Sequence, residues 1–159
     1  METTVVRPYR GTAEDREAFR ALNLAWIEKH FDVEERDLRD LGDPDAHIIA
    51  HGGAIFMAEI IGGENDRIVG TVALIVHGDC FELAKMAVEE HARGFGFGRL
   101  LGEAVIAEAR KRGAKELELV SNTELAPAIA LYRALGFQEV EIGETEYSRV
   151  DIKMVLKVT

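Results

Sequence analysis

The segment order predicts an α/β (α+β) fold, a single domain over residues 1–159. The architecture expected is a mixed central sheet of about seven strands with four helices. Three observations carry this. The first half holds strand-like runs separated by short turn clusters, which is the pattern of a meander. The second half alternates strand-like and helix-like stretches, so a crossover must place the strand at 115–120 parallel to the one at 81–88. Hydrophobic residues make up 47% of the 159 residues, enough for one ordinary core, and there is no repeat, linker or low-complexity tract.

The order expected is β-α-α-β-β-β-α-β-α-β-β. Residues 5–7 make a short first strand. Thr12 is placed to cap a helix with Asp15 in the capping-box position, and Phe19, Leu22 and Trp26 recur at helical spacing to about His30. Residues 34–41 form a second, short helix before Gly42 and Pro44. Residues 54–61 form a strand, and the cluster 62–66 a turn. Residues 67–76 are almost continuously apolar and β-rich, as a central strand should be. Gly78 and Asp79 turn the chain into the strand at 81–88. Residues 98–111 carry apolar positions in helical register and stop at Gly113. Residues 115–120 form a strand, Pro127 suits a helix first turn, and that helix runs to Leu135 with Gly136 closing it. Residues 137–142 and 150–158 form a last antiparallel pair.

Charge and composition exclude several functions. Asp and Glu number 29 against 19 Lys and Arg, a net charge of -10. A nucleic-acid binder needs a broad basic footprint, and an anionic membrane repels such a chain, so neither is an expected partner. One cysteine, Cys80, permits no internal disulfide and no Cys-rich metal cluster; a buried or idle thiol is expected there. With no visible leader and no apolar run long enough to span a bilayer, the expected location is cytoplasmic. The pair His47 and His51 lacks the glutamate of a zinc-protease helix and is followed by Gly52-Gly53; surface histidines and no metal are expected.

Residues 88–101 carry the chemistry. A buried strand ends, glycines stand at every second position (Gly94, Gly96, Gly98), and a helix begins. Such a turn converges backbone N–H groups on one point, and the helix N-terminus adds partial positive charge, so phosphate or pyrophosphate is held with little side-chain charge. Arg93 and Arg99 add charge locally. A P-loop is absent, and G-x-G-x-x-G fails in both frames. Q/R-x-x-G-x-G fits, filled by Arg93, Gly96 and Gly98.

With this loop the sequence resembles the GCN5-related N-acetyltransferase (GNAT) family. The strand at 82–88 resembles the family's central strand, residues 93–98 its acetyl-CoA loop, and 130–137 its C-terminal "LY-x-x-x-GF" signature. The likeness covers essentially the whole chain. It implies an acetyl-CoA-dependent N-acetyltransferase acting on a small-molecule or peptide amine by direct transfer in a ternary complex. It implies that Met86, Ala87 and Val88 pair with the pantetheine arm, and that Gly94, Phe95, Gly96, Phe97, Gly98 and Arg99, with Arg93, hold the pyrophosphate. It assigns Tyr132 as the acid that protonates the leaving thiolate. Family members often carry an asparagine seven residues before that tyrosine; here Leu125 stands there, and Asn122 is the substitute cofactor contact. The spacing of Glu82 before Arg93 matches the general-base glutamate of the histone-acetyltransferase branch. Glu59, a relayed water, or a merely structural Glu82 paired with Lys85 or another cation are the alternatives. Dimers are common in the family, and a homodimer remains open.

The acceptor site is expected from Phe31, Glu34, Glu35 and Asp37 on one side and Glu144, Glu146 and Tyr147 on the other, where acidic groups attract a cationic amine. Phe31, Glu34 and Tyr147 are the leading substrate contacts. Residues 110–112 either complement the helix dipole or touch the cofactor's 3'-phosphate. A non-catalytic acyl-CoA sensor, a longer-chain acyltransferase and a nucleotide-binding regulatory domain are the rival functions.

Overall fold

The computed structural model describes residues 2–64, 66–143 and 149–159. Seven strands form one sheet: β1 (Thr3–Pro8), β2 (Ala54–Ile61), β3 (Arg67–His77), β4 (Cys80–Val88), β5 (Glu116–Ser121), β6 (Gln138–Val140) and β7 (Ile152–Lys157). Their order is β1-β2-β3-β4-β5-β7-β6, antiparallel throughout except for the parallel pair β4–β5. Four α-helices cover it: α1 (Ala13–His30), α2 (Glu35–Gly42), α3 (Phe97–Lys111) and α4 (Ala126–Ala134). The expected element order is therefore met. No helix among the described residues is long and apolar enough to cross a membrane.

The two faces of the sheet bury different cores. Phe19 and Ile27 of α1 and Leu41 of α2 pack with Ile55, Met57, Ala73 and Ile75. Leu101, Val105 and Ala109 of α3 pack with Val72, Leu74, Leu83, Leu117 and Met154 on the other face, joined by Ile129 and Tyr132 of α4. Strand β3 lies between β2 and β4 and is covered on both faces, which explains its nearly unbroken apolar run.

Two irregularities shape the functional region. Thr71 pairs with Ala87 and Ala73 with Ala84, so Lys85 and Met86 oppose Val72 alone. This is a β-bulge, and Lys85 takes a left-handed backbone (φ 56°). In addition, the ladder between β4 and β5 has one register pair among the described residues, Glu82 opposite Glu118. Beyond it the strands part, and the last residues of β4 face a groove.

Several local expectations are corrected. Thr12 accepts the Asp15 N–H (3.1 Å) as a cap should. The Asp15 carboxylate, however, takes both arms of the Arg7 guanidinium and the Arg10 amide (all 2.8–2.9 Å) rather than closing the box. Arg7 also binds Glu59 at 2.7 Å, so Glu59 serves β1–α1–β2 packing. Residues Asp45–Ile49 form a π-helical turn carrying His47. Phe137 belongs to the end of α4, not to a strand: its N–H returns to Tyr132 O (3.0 Å) past Gly136 at φ 105°. That is the Schellman arrangement, and it buries Phe137 in the core. Cys80 is exposed, which removes the buried alternative of the buried or idle thiol expected there.

Candidate active site

A groove runs where β4 and β5 part, lined by Met86, Ala87 and Val88, by the loop Arg93–Gly94 and Gly96, by Phe97, Gly98 and Arg99 at the start of α3, and by Leu131 and Tyr132 of α4. Ten of the predicted cofactor contacts thus come together. Gly94 and Gly96 have φ of 87° and 83°, and Gly96 is the residue before the first turn of α3. Only glycine takes such angles without penalty, and they turn successive amides toward the helix N-terminus. Donors here are backbone N–H groups, which suits a diphosphate. Arg93 also fixes the strand end, donating from Nε to Val88 O at 3.2 Å.

Two predicted cofactor residues lie elsewhere. Phe95 is 75% exposed and is not part of the groove lining. Asn122 lines the neighbouring cavity. Its amide donates to Arg149 O (2.7 Å) and its carbonyl accepts the Glu124 N–H (2.8 Å), so its polar atoms serve the loop after β5. Arg110 and Arg112 are outside the groove too. Arg110 donates to Val158 O (2.9 Å), and Arg112 to Glu108 (2.8 Å) and to Gly52 O.

The second cavity adjoins the groove. Phe31, Asp37, Glu82, Lys85 and Arg149 line it, and it shares Trp26, Met86, Leu125, Ala128 and Tyr132 with the groove. Tyr132 therefore stands in the wall common to both. Its ring meets Phe137 edge-on, with centroids 6.1 Å apart, which fixes its direction. Burial pushes its phenol up to about 12, so it is protonated at neutral pH.

Glu82 does not pair with Lys85. Its Oε1 lies 2.9 Å from His77 Nε2, a diagonal partner across the β3–β4 hairpin. That bond raises the His77 imidazole above its ordinary value. Lys85, set by the bulge, instead lies 3.6 Å from both Asp37 and Asp40 of α2.

Two of the acidic groups expected at the acceptor, Glu34 and Asp37, are bonded within the chain to Arg149. Arg149 forks onto Asp37 (2.8 and 2.9 Å) and reaches Glu34 at 3.1 Å. Its guanidinium carbon lies 5.8 Å from the Phe31 ring centre. Burial acts to raise the Asp37 carboxyl, but hydrogen bonds from Arg149 and the Glu34 amide hold it below the ordinary value. Glu34 supports Arg149 from outside the cavity lining. Its carboxylate and that of Asp37 are engaged by cations, so they form a wall rather than open anionic sites. Glu144, Glu146 and Tyr147 lie outside the described residues. Sequence reasoning missed Arg149 and Trp26 at this site; the one legible signal was Lys85, a cation inside an apolar strand.

The model of the acetyltransferase (GNAT) family matches residues 16–137. The chain belongs to that family. Mycothiol acetyltransferase of Saccharomonospora viridis is 30% identical over 137 residues, 80% of this chain and 44% of that protein. The ribosomal protein bS18 alanine N-acetyltransferase of Escherichia coli is 41% identical over 69 residues, 43% of this chain and 47% of that one. The chain thus spans less than half the length of these curated relatives. A GNAT-family acetyltransferase structure from Staphylococcus aureus superposes with a TM-score of 0.84 at 19% identity, covering 99% of this chain and 100% of that one. The likeness at that identity concerns the fold.

Proposed function

We propose that the chain transfers an acetyl group from acetyl-CoA directly to a primary amine in a ternary complex. The observation that carries this reading is the place of Tyr132, in the wall between the glycine-loop groove and the second cavity. Two substrates seated in adjoining cavities react without a covalent enzyme intermediate, because binding alone supplies the encounter.

Bound in the groove, acetyl-CoA supplies an activated thioester carbonyl and a thiolate leaving group. The chain's own groups do the rest. The free side of β4 at Met86–Val88 receives the extended arm by strand-like pairing, as peptides add to an open sheet edge. Amides of this strand also face the developing oxyanion. The Gly94–Gly98 amides hold the diphosphate. Tyr132 donates a proton to the departing sulfur and regains one from the acetylated nitrogen as the tetrahedral adduct collapses to the amide. Glu82, in the second cavity, takes one proton from the substrate ammonium and so frees the neutral amine to attack. Among the described residues no hydrogen bond joins the exposed Cys80 to a base, and it has no part in this scheme.

The test is CoA release over a panel of amine classes, alongside affinities for CoA, ATP and NAD. Release with at least one amine is expected. Tight CoA binding with no release for any amine supports an acyl-CoA sensor, and preference for ATP or NAD overturns the groove assignment. A longer acyl donor, if preferred, emerges from competition between acyl-CoA chain lengths.

Gly96→Leu tests the loop. A non-glycine residue at φ 83° costs about 1–2 kcal/mol, and its side chain projects into space reserved for the diphosphate. Calorimetry should find CoA binding weakened by about tenfold or more, with an unchanged constant removing the loop from the site.

A further inference from the structure

We propose that His77 is a positioning residue for the transfer, relaying the proton taken by Glu82 out to solvent. The inference rests on the acetyl-transfer reading above. The two side chains occupy opposite sides of one partition. Glu82 lines the second cavity, and its side chain is 16% exposed. His77 is 42% exposed and lines a shallow surface depression with His47 and His51. Arg36 and Ile75 belong to the lining of both hollows, and the 2.9 Å bond between His77 Nε2 and Glu82 Oε1 links the two.

A base confined in a cavity must shed its proton before the next turnover. Lys85 is a poor outlet, since it lies against Asp37 and Asp40. The imidazole has two nitrogens and passes a proton through the ring. Each step balances. The ammonium N–H breaks as a Glu82 O–H forms. That O–H breaks as a bond forms at Nε2 of the neutral ring. The imidazolium then releases its Nδ1 proton to water or buffer, so of the two protons nitrogen loses, one enters solvent by this route and the other reaches sulfur by way of Tyr132. The plain alternative is an exposed His–carboxylate pair, worth little to stability and nothing to turnover.

The experiment uses the full chain with an amine acetylated in the panel. In His77→Gln the amide still donates to Glu82 but carries no proton onward, so kcat should fall about tenfold with KM for acetyl-CoA unchanged. In His77→Ala, added imidazole should restore the lost rate. His47→Gln, a change in the same depression but outside the relay, should keep the wild-type rate and give no imidazole response. Full kcat in His77→Gln, or a loss in His77→Ala that imidazole leaves untouched, overturns the relay. A wild-type chain that acetylates no amine defeats the transfer reading itself and the relay with it. An active wild type with unimpaired His77→Gln defeats the relay alone.

Discussion

Replacing Tyr132 with Phe is expected to lower turnover by about 10²–10⁴-fold and to leave CoA affinity unchanged. The ring is retained, so its edge-on packing against Phe137 and the groove wall persist. Only the hydroxyl is lost. At about 12 the phenol is a weaker acid than an ordinary thiol is, which at first weighs against proton donation to sulfur. In the proposed transfer, however, the thiolate departs within the same groove, where desolvation raises its affinity for a proton as it raises that of the phenolate. The mismatch therefore narrows where the transfer occurs. The hydroxyl also stays protonated across the physiological range, so its donor role has no titration limit there. Steady-state kinetics with CoA calorimetry checks this. Wild-type turnover in the variant removes Tyr132 from the acid role, and a large loss of CoA affinity reassigns it to binding.

The sequence revealed the groove far better than it revealed the second cavity, and the reason is physical. The groove is built from backbone. Its glycines, the helix start after them and the strand before them are local features, and local features leave local patterns. Even the splay of β4 from β5 follows from a crossover and a loop adjacent in sequence. The second cavity is assembled from side chains on α1, α2, β4, α4 and the segment before β7. Asp37 and Arg149 are joined across 112 positions, and no periodicity marks such a pair. Lys85 had a visible oddity, a cation in an apolar strand, yet its partner depended on a bulge that turns it toward α2. Glu82 likewise paired with the hairpin neighbour His77, a contact set by the register of a tight turn. Phe137 reads as the start of a strand, but an apolar residue after a helix-ending glycine also fits a helix cap, and here the cap takes it.

Asp37→Ala should destabilise the chain by about 3 kcal/mol, the lower end for removing one member of a buried ion pair. Asp37 is fully buried, and it anchors Arg149 through two bonds and faces Lys85, whose side chain is 6% exposed. Removing the carboxylate leaves two cations short of a partner, though Glu34 still reaches Arg149 and Asp40 still faces Lys85, which keeps the loss from the upper end. In thermal unfolding this corresponds to a fall of about 6–12 °C for a domain of this size. The pH dependence has a definite sign. Because the folded carboxyl lies below its ordinary value, its contribution is complete above about 3.9 and is lost as pH falls through the folded value. The stability gap between wild type and Asp37→Asn should therefore be widest near neutrality and shrink in strong acid, where the protonated aspartate resembles the amide. A functional effect should accompany it. Arg149 meets Phe31 at the cavity edge, so releasing it should raise KM for the amine while the KM for acetyl-CoA, set in the other groove, stays constant. A variant that unfolds at the wild-type temperature would mean that the Arg149 fork costs as much in desolvation as it returns. An unchanged amine KM would place the acceptor away from this wall.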